Sequence, residues 1–373
     1  MFKRSVPFVV LLLVLALLMS ACGGAQPTTA APQETTAPPA TPTTGGVPEV
    51  IQPQGYGTIA ARVRERGNVV CGVHNELLGF GYLDENGRNI GFDIDLCRAV
   101  AAAVLGDPEA IEPVTITAAD RGPVLQTAEV DLVARNMTWT SKRDAEWGNF
   151  TWIMFYDGQG FLVRADSGIE GLEDMDGATV CVTTGTTTET NLATSFGDAG
   201  LAYEAVTFEE TSAVYGAYEE GRCDVATSDK SQLAAVRAGF SNPDEHVILD
   251  VTVSKEPLTP AVPSGDDQWF DIVKTVMWAL INAEEYGVTS ANVEEMKASE
   301  NGNVRAMLGA GDDWGNGALG LEADALANAI AAVGNYGEIY DRYMGPEGIA
   351  FTLDRGLNAL WSNGGLIYAP PVR

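Results

Sequence analysis

The chain has 373 residues, a formal net charge of −29 and an isoelectric point near 4.2. Such an acidic chain has nothing to neutralise phosphates with, which excludes nucleic acid as a partner. It also means that any site for a carboxylate needs its own local cation. Only two histidines occur and no Cys-x-x-Cys spacing, so a metal centre is not expected, and no cofactor either.

Residues 1–24 read as a targeting segment: Lys3 and Arg4, an apolar run over 6–18, then Met19, Ser20 and Ala21 leading to Cys22. The run is short for a membrane span. Small residues before a cysteine resemble a lipobox, with Cys22 as the lipidated first residue of the mature chain. Met19 stands where leucine is usual, and plain secretion with Cys22 removed is the alternative. Loss of Lys3 and Arg4 takes the net charge to −31. Residues 25–54 are rich in Pro, Thr and Ala and cannot bury a core; they read as a flexible linker able to span roughly 90 Å when extended. The remaining stretch of about 320 residues suits two domains of ordinary size.

In the folded part, residues 68–73 read as a strand and 80–90 as a hairpin about Asp84, Glu85, Asn86 and Gly87. A helix over 91–106 turns Ile94, Cys97, Val100, Ala101 and Val104 to one side. A strand at 114–117, a short helix at 121–128 and a buried strand at 131–135 follow. Alternating strands and helices predict a mostly parallel sheet covered on both faces. The pattern then repeats: strand 177–182, a helix to about Phe196, Tyr215 on the next helix, strand 223–226 and helix 231–238. Residues 250–260 return to the first domain. Helices are predicted at 269–283, 290–297 (Ser290 as cap), 304–308, 321–333 and 336–343, with an irregular loop over 301–320.

Four cysteines remain after Cys22, in a chain read as exported, where disulfides persist. Pairing by region gives Cys71–Cys97 and Cys181–Cys223; free buried thiols are the alternative.

The chemistry concentrates at residues 136–143. Asn136, Thr138, Thr140 and Ser141 are small donors, and Arg143 follows among Met137, Trp139, Trp147, Phe150 and Trp152. A guanidinium beside small donors suits a carboxylate, because its planar fork grips two oxygens. The plainer alternative pairs Arg143 with Asp144 or Glu146 on a helix surface. Thr186 and Glu189 form a capping-box pattern, and a helix start attracts an anion. Asp229 has the position of an N-cap.

The run Gly91-Phe92-Asp93-Ile94-Asp95-Leu96 with Val100, Ala101 and Val104, and Thr138-x-Thr140-x-x-Arg143, resemble the signature and carboxylate-binding segments of the family 3 extracellular solute-binding proteins, the polar amino-acid receptors of ABC transporters. Residues 156–160, 279–285, 355–361 and 368–371 are similar to its general L-amino-acid-binding branch. The resemblance implies a type II periplasmic-binding-protein fold: two α/β lobes with central mostly parallel sheets joined by a two-strand hinge. The first lobe would comprise 55–157 and 257–373, the second 158–256. It implies that Arg143 clamps an α-carboxylate with Asn136 or Thr138 and Thr187, next to Thr186, and that Asp229 accepts from an α-ammonium. Thr259 stands where the family prefers glycine, which leaves the hinge open. His74, Asn75, Phe80, Tyr82 and Trp139 are candidates for the side-chain pocket; ordinary core is the alternative for each.

The expected function is therefore a monomeric, lipid-anchored binding protein outside the cytoplasmic membrane, delivering free L-amino acids to an ABC permease. Two rivals stand beside it. One is a dehydratase-like enzyme on the same fold, against which no catalytic residue is expected: Ser/His/Asp order, HExxH and GxSxG are all absent. The other is an amino-acid sensor docking a signalling partner.

Overall fold

The structure is a computed structural model, and residues 56–373 of it are described. The expected targeting segment, Cys22 and the linker lie outside those residues.

Two five-stranded sheets organise the chain. In the first, the strand order is Ile111–Thr115, Val69–Val73, Leu132–Ala134, Ala261–Val262, Asn149–Phe150. The first three are parallel, and Ala261–Val262 runs antiparallel to both of its neighbours. The second sheet has the order Tyr203–Phe208, Ala178–Thr183, Val225–Asp229, Gln159–Arg164, His246–Ile248, again with three parallel strands followed by antiparallel ones. Val69–Val73 is buried at every position, as a central parallel strand must be, and its run Val-Val-Cys-Gly-Val shows no polar alternation for that reason.

The helix Phe92–Leu105 crosses behind the first sheet and is buried on nearly all sides, because the helices Ala325–Val333 and Asp267–Glu285 pack against its outer face. Gly91 starts it at φ 137°, and an added Cβ there would lie 2.2 Å from the Phe80 carbonyl oxygen, so only glycine fits. The predicted hairpin forms as Gly81–Leu83 against Asn89–Ile90. Both expected disulfides are present, Cys71–Cys97 with Cα atoms 6.5 Å apart and Cys181–Cys223 at 5.7 Å.

A two-stranded ladder connects the lobes, pairing Asp157 with Glu256, Tyr156 with Pro257 and Phe155 with Leu258. Thr259, 3% exposed, sits outside the left-handed backbone region and donates its N–H to the Met137 carbonyl at 2.9 Å, so glycine is not needed there. The C-terminal segment returns to brace this ladder. Asn358 accepts from the Tyr156 N–H (2.6 Å) and donates to its carbonyl (3.1 Å), while Arg355 grips Glu284 with both terminal nitrogens (2.7 and 3.1 Å).

Several expected boundaries shift. The strand expected at 114–117 lies at Ile111–Thr115, and an unforeseen edge strand occupies Tyr203–Phe208. The helix expected at 304–308 lies at Gly302–Met307, and the stretch 301–320, expected to be otherwise irregular, also contains the short helix Asn316–Leu319. Ser290 caps nothing: its hydroxyl donates to Glu338 at 2.7 Å, and the helix begins later, at Val293–Met296. Glu338 also completes a capping box with Asn335 at the start of Tyr336–Met344. Among the described residues no helix is long and apolar enough to cross a membrane.

Candidate functional site

Both sheets point the C-terminal ends of their parallel strands at one another, and loops leaving those ends enclose a cavity. This is where open α/β sheets place ligands. From the first sheet come Ala118 and Arg121 after Ile111–Thr115, and Arg135, Asn136 and Thr138 after Leu132–Ala134. From the second come Thr183, Thr186, Thr187 and Thr188 at the end of Ala178–Thr183, Thr211 after Tyr203–Phe208, and Ser228, Asp229 and Gln232 at the end of Val225–Asp229. About 30 Å³ is open to the centre of a water-sized sphere, room for about two waters, so a larger molecule must enter with the lobes apart.

Three side-chain pairs close the lobes over this space. Thr138 and Thr187 place their hydroxyls 3.3 Å apart, Asn136 Nδ2 donates to Gln232 Oε1 at 3.0 Å, and His74 Nε2 lies 3.3 Å from the Thr211 hydroxyl. Burial, with Arg135 and Arg121 adding to it, holds the His74 pKa well below the usual imidazole value. His74 Nδ1 accepts the Glu76 N–H at 3.1 Å, so in the neutral ring Nε2 carries the proton and donates to Thr211.

Asp229 ends the strand Val225–Asp229 and occupies the N-cap position of Lys230–Gly239, yet its side chain makes no capping bond. The capping alternative therefore does not account for it. It is 5% exposed and its Oδ1 has no partner. Burial first, then repulsion from Asp157 and Glu256, pushes its pKa well above the ordinary carboxylate range. A buried carboxylate left short of donors is costly, and it is what an incoming ammonium would satisfy.

Arg143, on the short helix Ser141–Glu146, is buried rather than on the surface. Among the described residues it forms no ion pair with Asp144 or Glu146. Its Nη1 donates to the Thr138 carbonyl at 3.0 Å and its guanidinium lies 4.7 Å over the Trp147 ring. Burial lowers its pKa to about 10, partly offset by Glu256 and Asp229, so it stays cationic at neutral pH. It does not line the central cavity but an adjoining, more open cleft, and the two share Thr186 and Thr187.

The threonine loop is only partly as expected. Thr186 caps the helix Thr187–Ala199 by accepting the Glu189 N–H at 3.1 Å, but the Glu189 carboxylate turns to the Gly185 N–H (2.8 Å), so the reciprocal half of the capping box is missing. The Thr187 hydroxyl donates to Glu256 at 2.8 Å. Glu256 is on the connecting ladder and also accepts from Asn191 (2.7 Å) and Ser254 (2.5 Å). With its proton so engaged, Thr187 offers an anion its backbone N–H at the helix start instead.

Asn136 has φ 30°, a strained value for a non-glycine residue; its N–H donates to Asp93 at 2.7 Å and its Oδ1 is buried without a partner. Phe80 and Trp139 lie elsewhere. Phe80 is 1% exposed in the first lobe's core, with ring centroids 5.2 Å from Phe155 and 6.3 Å from Phe92, and Trp139 stacks on Phe150 at 6.0 Å. Tyr215 is core, its hydroxyl accepting from Gln232 at 3.0 Å. Sequence reasoning missed Arg121, Arg135 and Glu256. Arg121 left one signal, a cation on the first turn of a helix, where the dipole disfavours it.

Residues 69–293 match the model of the bacterial extracellular solute-binding proteins, family 3. The chain belongs to that family. Among its relatives, the general L-amino acid-binding periplasmic protein of Rhizobium johnstonii is 49% identical over 318 residues, 85% of this chain and 93% of the relative. The glutamate/glutamine/aspartate/asparagine-binding protein of Rhodobacter capsulatus is 45% identical, covering 83% and 92%. An ABC transporter periplasmic binding protein from Brucella ovis, solved with glutathione bound, superposes with a TM-score of 0.81 at 45% identity, covering 84% of this chain and 99% of that one. Family 3 members share the two-lobed α/β architecture found here. The part beyond residue 293 is the C-terminal segment that packs on the first lobe and reaches the connecting ladder.

Proposed function

We propose that this protein is the substrate-binding component of an amino-acid ABC transporter, capturing free L-amino acids between its lobes and delivering them to the permease. The observation that carries this reading is the buried Asp229 carboxylate, its Oδ1 without a partner, in a cavity that adjoins the cleft holding the Arg143 guanidinium. Those two charges match the two ends of a zwitterion. Arg143 takes the α-carboxylate, helped by Asn136 or Thr138 and by the N–H groups at Thr186 and Thr187; Asp229 takes the α-ammonium. His74 closes the site through Thr211 rather than touching the side chain. The names of the relatives, all binding proteins, support transport over the dehydratase reading.

The lobes divide at the connecting ladder, with 55–157 and 257–373 forming the first and 158–256 the second. Ligand favours closure because only the closed form touches it from both sides. Micromolar affinity requires about −8 kcal/mol, within reach of a few charge-assisted bonds in a dry cleft. Export is in keeping with the family, and we assign Cys22 as the lipid anchor of a monomer held at the outer face of the cytoplasmic membrane. Titration calorimetry against the twenty L-amino acids tests the reading: several bind the wild type, and Arg143→Ala abolishes all binding. Retention of that binding in Arg143→Ala, or none in the wild type, ends it.

A further inference from the structure

Seven large apolar side chains are exposed among the described residues, and five of them, Ile349, Leu357, Trp361, Leu366 and Tyr368, belong to the C-terminal segment. The last four share one face. The Leu366 N–H donates to the Leu357 carbonyl at 2.8 Å, the Trp361 N–H donates to the Ile367 carbonyl at 2.9 Å, and the Trp361 and Tyr368 rings meet edge to face with centroids 5.8 Å apart. Half-buried Trp152 extends the face by donating its indole N–H to the Tyr368 carbonyl at 2.8 Å and meeting the Trp278 ring at 5.4 Å. Beyond it, Lys274 lies over the rings of Trp278 and Phe270 at 5.1 and 4.4 Å. Scattered apolar side chains on a surface are ordinary, whereas a contiguous face of them marks a contact.

Charge indicates what the face meets. Of the 373 residues 51 are Asp or Glu, yet none lies between Arg355 and Arg373. Bordering carboxylates are engaged: Lys274 pairs with Asp271 at 2.6 Å, Arg355 pairs with Glu284 at 2.7 Å, and Glu285 accepts the Trp361 indole N–H at 3.2 Å. On a chain of net charge −29 this is a neutral window, through which an apolar surface can be approached without bringing unpaired carboxylates to it. Indole and phenol rings beside Lys and Arg stems are the side chains that settle at the boundary of a bilayer, apolar body inward and polar atom in the headgroup layer. Connectivity agrees. The Gly57 N–H donates to Asp266 at 2.8 Å, and Asp266 caps Asp267–Glu285, the helix that carries Phe270, Lys274 and Trp278. The segment read from sequence as a membrane tether thus joins the fold at the head of that helix.

We propose that this face, centred on Trp361 and Tyr368, rests on the interface of a lipid bilayer and sets the protein's orientation there, by insertion of aromatic side chains rather than by charge. The inference uses the export reading and is independent of the head-group reading. It is tested on the full chain mixed with phosphatidylcholine vesicles that carry a nitroxide quencher just below the headgroups, with tryptophan emission as the readout. Wild-type emission is quenched, and added salt does not relieve the quenching, since no ion pair is being screened. Trp361→Ser combined with Tyr368→Ser loses about half of the quenching or more, while amino-acid binding by calorimetry is unchanged. The N-terminal segment is common to both proteins, so the difference between them reads the face and not the tether. Should the double variant lose amino-acid binding as well, Leu366→Glu, on the same face, gives the same loss of quenching. An unquenched wild type overturns the inference, as do equal quenching in the variants and quenching that salt removes. Self-association without vesicles, seen by analytical ultracentrifugation and abolished in the double variant, also overturns it and assigns the face to a second copy of the chain.

Discussion

The two sheets share one strand order but are held by unequal cores. In the first lobe a large apolar cluster runs from Ile59 through Trp269 and Ile330 to Val372, recruiting the long helix Asp267–Glu285 and the C-terminal segment, beside a smaller one around Val70, Leu125 and Phe150. In the second, the sheet separates two small clusters, one around Phe161, Val180 and Phe196, the other around Leu162, Tyr218 and Leu233. The same topology is thus built once as a thick frame and once as a thin layer. The thin lobe depends more on its covalent tie, and the thick one tolerates local losses.

The largest effect expected from this contrast is on the disulfides. Loop closure over 42 residues makes Cys181–Cys223 worth about 4 kcal/mol, and over 26 residues makes Cys71–Cys97 worth about 3.5 kcal/mol. Replacing the first pair with alanine should split off an early unfolding transition in scanning calorimetry, whereas replacing the second should shift one main transition. Identical single transitions in both variants would break the comparison. Next comes Asp229→Asn, which weakens amino-acid binding by about 10- to 100-fold. The same change raises the melting temperature of the ligand-free protein, since it removes an unpaired buried carboxylate; a lower melting temperature counts against the account of this site. Asn358→Ala loses two hydrogen bonds, about 1–2 kcal/mol, and should speed amide exchange at Tyr156 while leaving the second sheet untouched.

The smallest effect is a fraction of one proton. Asp229 has a raised pKa, and a ligand ammonium favours its ionised form, so binding near pH 7 releases protons and affinity falls as pH drops. Calorimetry in two buffers of different ionisation enthalpy reads that release, and uptake instead would be contrary. Without ligand, burial raises Asp93 to about 7 and Asp157 to about 6. Their native forms hold protons that the unfolded chain has already lost, so their contribution is complete below the ordinary carboxylate pKa and disappears as pH rises through 6 to 7.

Much of this architecture was legible in the chain. Apolar strands such as 69–73 alternating with helices imply the parallel sheets, and one cysteine pair per half implies the crosslinks. Local pattern says less about contacts between distant residues. Arg121 opens an ordinary short helix and becomes notable only where the second lobe covers it. Glu256 has no motif around it, and its meaning comes from Thr187 and Asn191, more than sixty positions earlier. Phe80 and Trp139 show the converse: an aromatic residue near a site looks the same in sequence whether it faces a ligand or a neighbouring ring.

Asn358 pins both polar groups of the Tyr156 peptide from the C-terminal side. Any swing of one lobe against the other must therefore be taken up past that clamp, by the few bonds from Asp157 onward and their counterparts before Glu256. The axis of motion is displaced toward Glu256, whose carboxylate is tied to the helix beside the cleft. Occupancy of the binding site and bending of the backbone would then be mechanically one event, with the final residues of the chain acting as its fulcrum.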